Sequence, residues 1–172
     1  GKGTLVTRWR ERRSNLGLTV SATTRAPRKG EVDGVNYFFL TREEFDRRVA
    51  NGEFVEWAEV HGNCYGTLVS EVTSKLASGA SLILEIDVQG ALQVKERFPE
   101  AVLIFIKPPS LEVLRERLVG RGTETPETIE LRMANAADEL ALADRYDDVV
   151  VNDDLDRATD ELVRVLDMHE RI

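Results

Sequence analysis

A chain of 172 residues is long enough for one compact domain with small insertions. Its content of 42% hydrophobic and 31% charged residues is typical of a folded globular protein rather than a disordered one. The net charge of −8 argues against a nucleic-acid partner, because such surfaces are usually basic, and no apolar run approaches a membrane span. The single cysteine, Cys64, allows no internal disulfide, which favours a reducing compartment such as the cytoplasm.

The chain opens with Gly1-Lys2-Gly3-Thr4, a pattern found at the end of glycine-rich phosphate-binding loops. Residues 4–13 follow as a predicted helix with Leu5 and Trp9 on its apolar face. In the phosphate-loop interpretation, N–H groups at the helix start hold phosphates and Lys2 reaches the outer ones. The front of the loop and its leading strand would then precede residue 1. We therefore expect the chain as written to be unstable or inactive, and the function to belong to a longer parent.

A short predicted strand at 16–20 leads into a loop at 21–28 that carries two arginines three residues apart, Arg25 and Arg28. Arginine grips phosphate with several N–H donors held in one plane. Together with the hydroxyl of Ser21, two such forks would suit a terminal phosphate dianion. The alternative is a solvated basic turn, and the spacing alone does not decide between them.

The next segment predicts a strand at 35–40, a helix capped by Thr41, and a strand at 54–60. Strict alternation in the second strand puts Glu56 on the same face as apolar residues. A carboxylate at such a position is either solvated at a sheet edge or held there for a purpose. The residues at 61–67 are predicted to form a tight loop.

From residue 81 onward, near-continuous apolar runs predict strands buried on both faces of a parallel sheet, at 82–86, 101–106 and 148–151. Helical periodicity predicts the segments between and around them as helices, at 68–78, 89–98, 110–121, 125–144 and 154–169. Strands that alternate with helices indicate an α/β doubly wound fold. Ligands of such folds bind at the carboxyl ends of the strands, where Asp87 and Asn152 fall.

Six blocks of sequence, in order, resemble guanylate kinases: Ser21-x-Thr-Thr-Arg25-x-Pro-Arg28, Gly30-Glu-x-Asp-Gly34-x-x-Tyr37, Glu56-Trp57, Tyr65-Gly-Thr67, Glu85-Ile-Asp87-Val-Gln-Gly90 and Gly120-Arg-Gly-Thr-Glu124. The likeness extends from residue 1 to about residue 166. It implies a P-loop NTPase-like fold with a parallel sheet core, an inserted GMP-binding subdomain and a small lid. The implied boundaries are 1–24, 77–117 and 134–172 for the core, 25–76 for the GMP subdomain and 118–133 for the lid.

The resemblance also implies phosphoryl transfer from ATP to GMP, with Mg²⁺ bound together with ATP and no protein residue assigned as a metal ligand. It assigns GMP binding to Ser21, Arg25, Arg28, Tyr37, Glu56, Tyr65, Thr67 and Asp87. It assigns ATP binding to Gly1, Lys2, Gly3, Thr4, Arg117, Arg121, Arg132 and Asn152. The catalytic residues it implies are Lys2, Arg121, Arg132 and Asp87.

The chemistry of guanine explains two of these assignments. Guanine presents donors at N1 and its exocyclic amine, which a carboxylate at Glu56 can accept, and an acceptor at O6, to which Thr67 can donate. Adenine has no N1 proton, so it would leave the carboxylate facing a lone pair. One position departs from the family, because Gly3 stands where a phosphate loop has Ser or Thr directly after its lysine.

Structural alternatives remain open at this stage. Tyr37 and Tyr65 can be core aromatics, and Arg117 and Arg121 can form ordinary surface pairs with nearby glutamates. Trp9, Trp57, Phe98 and Phe105 are predicted as core residues. Two functional rivals are a guanylate-kinase-like module that binds phosphorylated peptides and a kinase for another nucleoside monophosphate. The retained Lys2, Arg121 and Arg132 favour an enzyme, and Glu56 with Thr67 favours guanine.

Overall fold

The computed structural model describes residues 2–122 and 124–170, which form two compact units. The central unit comprises residues 14–101, and the terminal unit comprises residues 2–13 together with 102–122 and 124–170. Each unit combines helices with parallel strand pairs, so the predicted α/β class is confirmed.

The elements follow one another along the chain as α1 (Lys2–Arg12), β1 (Leu16–Leu18), β2 (Ala22–Thr23), β3 (Phe38–Phe39), α2 (Arg42–Ala50), β4 (Phe54–Val60), β5 (Asn63–Leu68), α3 (Val69–Ala77), β6 (Ser81–Ile83), α4 (Val88–Arg97), β7 (Ile104–Lys107), α5 (Leu111–Arg121), α6 (Pro126–Ala141), a short 3₁₀ helix (Ala143–Arg145), β8 (Asp148–Val151) and α7 (Leu155–Glu170). All the helices predicted from periodicity are present.

Three helices begin where side-chain caps predict. The hydroxyls of Thr41, Ser110 and Thr125 each accept a hydrogen bond from the backbone N–H three residues later. Such caps satisfy N–H groups that have no partner within the helix. In α6 the cap is followed directly by Pro126, whose missing N–H costs nothing at the first helical position.

The central unit contains two sheets. Strands β1 and β6 pair in parallel, with Leu16 opposite Ser81. The other four strands form a mixed sheet in the order β3-β2-β5-β4, in which β2 lies parallel to β3 and antiparallel to β5. The short β2 therefore has a hydrogen-bonded strand on each side. These strands fix the start of the segment at 21–28 that carries Arg25 and Arg28, which we call the arginine loop.

Strand β4 contributes to two hydrophobic clusters. Phe54 packs with Phe45, their ring centroids 4.5 Å apart, and Val55 packs with Val72 and Val94. The register of β4 shifts between Phe54 and Glu56, and this irregularity allows consecutive residues to be buried. The next side chain, Trp57, is 38% exposed, so its predicted place in the core is wrong.

The prediction of a loop at 61–67 is also wrong. Residues 63–68 form β5, antiparallel to β4, and the true turn has only two residues, His61 and Gly62. Both have positive φ, 51° and 82°. Positive φ at both central residues is the conformation that joins twisted antiparallel strands in two-residue hairpins.

Four predicted strands are shorter in the structure, beginning with β1, which ends at residue 18 rather than 20. The run at 35–40 leaves only β3, because the N–H of Gly34 bonds the carbonyl of Tyr37 and the N–H of Val32 bonds the side chain of Asn36. Residues 84–87 leave the sheet after β6 to reach the start of α4. Strand β7 begins at residue 104 rather than 101.

One face of α4 is bonded to the backbone of β4. The side-chain amide of Gln93 accepts from the N–H of Trp57 at 3.1 Å and donates to its carbonyl at 2.9 Å. One turn later, Arg97 donates to the carbonyl of Phe54 at 2.7 Å. Gly90 lies one turn earlier on the same face, because residues three or four apart in a helix share a side.

In the terminal unit, β7 and β8 pair in parallel and α1 packs against α7. Two arginines of α1 pair with acids of α7: Arg8 bonds to Asp156 at 3.0 Å and Arg12 to Asp160 at 2.6 Å. Beneath these exposed pairs, Leu5 is buried. No helix in the described part of the chain is long and apolar enough to cross a membrane.

Candidate active site

The arginine loop is held by threonine hydroxyls that bond to backbone. Thr23 donates from its hydroxyl to the carbonyl of Cys64 at 2.9 Å and accepts from the N–H of Arg25 at 3.1 Å. The hydroxyl of Thr24 accepts from the N–H of Cys64 at 2.9 Å. These bonds tie the residues that follow β2 to β5. They therefore fix the backbone from which Arg25 projects.

Arg25 makes a two-pronged ion pair with Glu31. Its Nη1 and Nη2 donate to the two carboxylate oxygens at 2.9 and 3.0 Å, and the Glu31 carboxylate also accepts from the N–H of Arg28 at 2.7 Å. The Arg25 fork and then the Arg28 N–H hold the pKa of Glu31 below its ordinary value. The bond to Glu31 raises the pKa of Arg25, so the guanidinium remains charged.

Two tyrosines stand beside this guanidinium. The carbon Cζ of Arg25 lies 5.1 Å from the ring centroid of Tyr37, and the rings of Tyr37 and Tyr65 meet edge to face at 6.2 Å. Tyr37 and Tyr65 are both half-buried, so neither is a fully buried core residue. The backbone carbonyl of Ser21 accepts from Phe38, which places Ser21 beside β3. The structure therefore gathers Arg25, Tyr37 and Tyr65, whereas Arg28 is exposed and linked to them through its backbone bond to Glu31.

The second group of site residues lies around Glu56, which is only 5% exposed. Its Oε1 accepts from the hydroxyl of Thr67 at 2.8 Å, and the two residues are opposite each other in the β4–β5 pair. Burial raises the pKa of Glu56 to about 7, and the charge of Asp87 adds to this, whereas the Thr67 bonds oppose it. A carboxyl group with such a pKa changes charge near neutral pH, because its hydrogen bonds from Thr67 are too few to offset the cost of burying the charge.

Asp87 is the N-cap of α4. Its Oδ1 accepts from the N–H of Gly90 at 2.9 Å, so one carboxylate oxygen is fixed at the helix start. The central unit thus brings together two acids, Glu56 and Asp87, with Thr67, which bonds to Glu56. We call these three residues the carboxylate cluster. All eight residues assigned to GMP by the resemblance lie in this unit.

The residues assigned to ATP lie in the terminal unit or outside the described residues. Gly1 and the side chain of Lys2 are outside the part of the chain that the structure describes. Gly3 and Thr4 are exposed in the first turn of α1, where unpaired N–H groups favour anions.

Three arginines of α5 and α6 differ in how far their charge is already used. Arg117 donates to the backbone carbonyl of Asn152 at 3.3 Å, and Arg132 pairs with Glu124 at 3.2 Å. Arg121 is exposed at the end of α5, and within residues 2–122 and 124–170 it makes no ion pair or hydrogen bond through its side chain. The predicted surface pairing of Arg117 and Arg121 with nearby glutamates is not found among these residues.

Sequence reasoning missed the roles of Glu31 and Gly90. Glu31 lies six positions after Arg25, too far for any local pattern, although its place three residues after Arg28 permits the backbone bond. Gly90 contributes by lacking a side chain, which no motif announces. Cys64 is fully buried and burial raises the pKa of its thiol, the opposite of the shift that activates a nucleophilic cysteine.

The α/β fold has a charged arginine fork and a separate buried carboxylate. Such features suit a protein that binds a nucleotide through its phosphate and its base. The family model described as guanylate kinase matches residues 4–169. Guanylate kinases from Halalkalibacterium halodurans and Gloeobacter violaceus are 53% and 55% identical over 166 residues, covering 96% of this chain and 81% of each relative. The crystal structure of guanylate kinase from Anaplasma phagocytophilum matches with a TM-score of 0.79 at 39% identity, covering 96% of this chain and 80% of that one.

The chain belongs to the guanylate kinase family. It is therefore a transferase that binds nucleotides, and the predicted family and enzyme class are confirmed.

Proposed function

We propose that the central unit binds GMP and the terminal unit binds ATP while the enzyme transfers the γ-phosphoryl group, giving ADP and GDP. The observation that carries this division is the buried Glu56–Thr67 pair. The carboxylate can accept from the two donors of guanine, and the hydroxyl of Thr67, whose single proton is donated to Glu56 in the structure, would turn to donate to O6 when guanine binds. Hydrogen bonds to a charged group contribute about 1.5–3 kcal/mol each, which is enough to select one base over another.

The phosphate of GMP would bind at the loop formed by residues 21–28. A guanidinium has five N–H donors, so the bonds of Arg25 to Glu31 leave donors for a phosphate oxygen. Arg28 adds a second charge, and the hydroxyls of Ser21, Tyr37 and Tyr65 are further donors. Glu31 and the Tyr37 ring hold the Arg25 fork in one orientation before GMP arrives, and this lowers the entropy cost of binding.

The terminal unit supplies the cations for ATP. Gly1, Lys2, Gly3 and Thr4 would hold its phosphates at the start of α1, and Asn152 with Arg117 would lie at the adenosine side. Lys2, Arg121 and Arg132 would offset the charge that spreads over the transferred group. Asp87 would orient the acceptor nucleotide. Such catalysis consists of positioning and charge stabilisation, with no covalent enzyme intermediate.

Mg²⁺ would arrive with ATP and neutralise charge on its phosphates. Among the described residues, no group of three or more His, Cys, Asp or Glu side chains could hold a metal ion. Mg²⁺ usually keeps several waters, so nucleotide oxygens and water would supply most of its ligands. Phosphate loops usually have Ser or Thr directly after their lysine. The hydroxyl closest to that position along this chain is that of Thr4, one residue later.

The functional division that we propose keeps 1–24, 77–117 and 134–172 as the nucleotide-kinase core, 25–76 as the GMP subdomain and 118–133 as a small lid. We place the enzyme in the cytoplasm, a location that its single buried cysteine and its small-molecule substrates support. The net charge of −8 supports small anionic ligands at local arginines rather than nucleic acid.

The direct test is ADP production from ATP and Mg²⁺ with GMP, AMP, CMP or UMP as the acceptor. We expect the longer parent anticipated from the sequence to turn over GMP, with at least about 100-fold lower kcat/KM for the other three acceptors, since each leaves the buried carboxylate without its partners. Equal turnover with AMP would contradict the assignment of Glu56. Binding of GMP without turnover would support the phosphopeptide-binding module instead.

The arginine loop gives a prediction about the shape of the cation. Replacing Arg25 with Lys keeps the charge but removes the fork, so we expect KM for GMP to rise about 10- to 100-fold. KM for ATP should stay within about twofold, because α1 and α5 are untouched. The matched control is Arg42→Lys, which alters an exposed arginine paired with Asp46 on α2 and should leave both KM values unchanged. A normal KM for GMP in Arg25→Lys would remove the fork from the phosphate site.

A further inference from the structure

Gly90 occupies a position where the space, not the backbone, requires glycine. It lies in the first turn of α4 and is buried. Unlike Gly62, it does not have a positive φ, so any residue could adopt its conformation. Glycine is also among the least favourable residues in a helix. A buried glycine with ordinary helical geometry therefore has to be explained by what surrounds its missing side chain.

The neighbour that fills this space is the carboxylate of Glu56. A Cβ built on Gly90 would lie 2.5 Å from Oε2 of Glu56 and 3.1 Å from its Cδ. Real Cβ atoms essentially never come within 3.0 Å of a heavy atom outside their own and the adjoining residues. Oxygen Oε1 of the same carboxylate is held by Thr67 at 2.8 Å. Thr67 therefore holds one oxygen of the Glu56 carboxylate, and the other oxygen occupies the space left open by the missing side chain of Gly90.

Asp87 borders the same open position. Its Oδ1 would lie 3.3 Å from the built Cβ, and it accepts from the N–H of Gly90. The backbone of Gly90 thus holds one carboxylate while its missing side chain admits another. An alanine would keep the N–H and fill the space, so this substitution separates the two effects.

We propose that Gly90 is a positioning residue for base recognition: the absence of a side chain there lets the Glu56 carboxylate reach the place from which it accepts the guanine donors. This inference rests on the proposed function of Glu56. Gly90 itself need not touch the nucleotide. It acts through the carboxylate, and it also keeps the two acidic residues of the carboxylate cluster close to each other at the start of α4.

The test is a double-substitution cycle with Gly90→Ala and Glu56→Ala, read first by urea unfolding. At pH 4.5, where the buried Glu56 is neutral, Gly90→Ala should lower the urea midpoint when Glu56 is present, because the new methyl group displaces the buried carboxyl group. In the Glu56→Ala background the same change should raise the midpoint, because the clash is gone and helices favour alanine. The matched control is Gly120→Ala in α5, where a built Cβ meets nothing within 4 Å; it should raise the midpoint in both backgrounds.

Two further measurements separate positioning from general damage. Gly90→Ala should raise the Kd for GMP about 10- to 100-fold and reduce the preference for GMP over IMP, which lacks the exocyclic amine, while the Kd for ATP stays unchanged. In a ¹³C carboxyl titration, the pKa of Glu56 should fall from about 7 towards its ordinary value, as the displaced group becomes better solvated.

Equal shifts of the urea midpoint by Gly90→Ala in both backgrounds would overturn the proposal, as would an unchanged Kd for GMP. If the unsubstituted protein fails to bind GMP, the proposed function fails, but the unfolding cycle still decides whether Gly90 makes room for Glu56.

Discussion

Replacing Glu56 with Gln should make the protein more stable at pH 8 and nearly inactive with GMP. The pKa of Glu56 in the folded chain is about 7, above its ordinary value of 4.5. Between these values the folded state binds more protons than the unfolded state, so the free energy of unfolding falls as pH rises. The contribution of Glu56 is fully present below pH 4.5 and is lost as pH rises through 7, a change of about 3 kcal/mol. A neutral amide at this position does not titrate.

The expected result is therefore a stability difference that depends on pH. Urea unfolding near pH 4.5 should give similar free energies for the Glu56→Gln variant and the unsubstituted chain. At about pH 8 the variant should be more stable by up to about 3 kcal/mol. The control is Glu59→Gln on the same strand, whose side chain is 52% exposed and which should show no such difference.

The same substitution should lower kcat/KM for GMP by roughly 10²–10⁴-fold, because an amide cannot accept from both guanine donors. KM for ATP should not change. If the variant is more stable at pH 8 and no longer uses GMP, the charged Glu56 lowers the stability of the fold and is retained for its role toward GMP. Stability that is the same in both proteins at pH 8 would contradict a raised pKa, and normal turnover with GMP would contradict base recognition by Glu56.

Replacing Arg121 with Met should lower kcat by about 10³-fold with little change in KM for GMP, as expected when a cation that stabilises a transferring phosphoryl group is removed. Arg117 and Arg132 already have partners within the terminal unit, whereas the Arg121 side chain has none among the described residues. Its charge is therefore available for ATP. Methionine keeps the length and the apolar stem, so the folded structure should be retained.

The matched control for this variant is Arg115→Met on the same helix. Arg115 is paired with Glu130 of α6 and is exposed, so its loss should change the stability little and leave kcat within about twofold. Steady-state kinetics with GMP at saturating ATP measures both variants. A kcat for Arg121→Met within about fivefold of the unsubstituted enzyme would assign the phosphoryl-transfer charge to another residue.

The helices and the α/β class could be predicted because they depend on local signals. A hydroxyl cap before an apolar repeat determines where α2, α5 and α6 begin, and the structure has these caps. The hairpin at 61–62 could not be predicted in the same way. Its strand β5 is polar and contains Gly66, and it becomes a strand only because β2 and β4 supply partners on both sides. Pairing between distant segments overrides weak local preference.

The candidate site shows the same division. The buried acid and the arginines that we propose bind phosphate could be identified as residues, since their types and order match a family. Their burial and protonation could not be predicted. The burial of Glu56 depends on a strand register shift, on Thr67 across the hairpin and on Gly90, which lies far along the chain in α4. Glu31 is a similar case, because its bond to Arg25 closes a turn that composition alone leaves as a hydrophilic loop.

The bonds from α4 to β4 also affect how the molecule meets its neighbours. Strand β4 ends the four-stranded sheet, and exposed end strands offer unpaired N–H and C=O groups that recruit strands from other molecules. In this sheet the amide of Gln93 takes both groups of Trp57, as a neighbouring strand would, and Arg97 takes the carbonyl of Phe54. A strand arriving from another copy would find these positions occupied. The helix that carries Gly90 thus also protects the sheet against edge-to-edge aggregation.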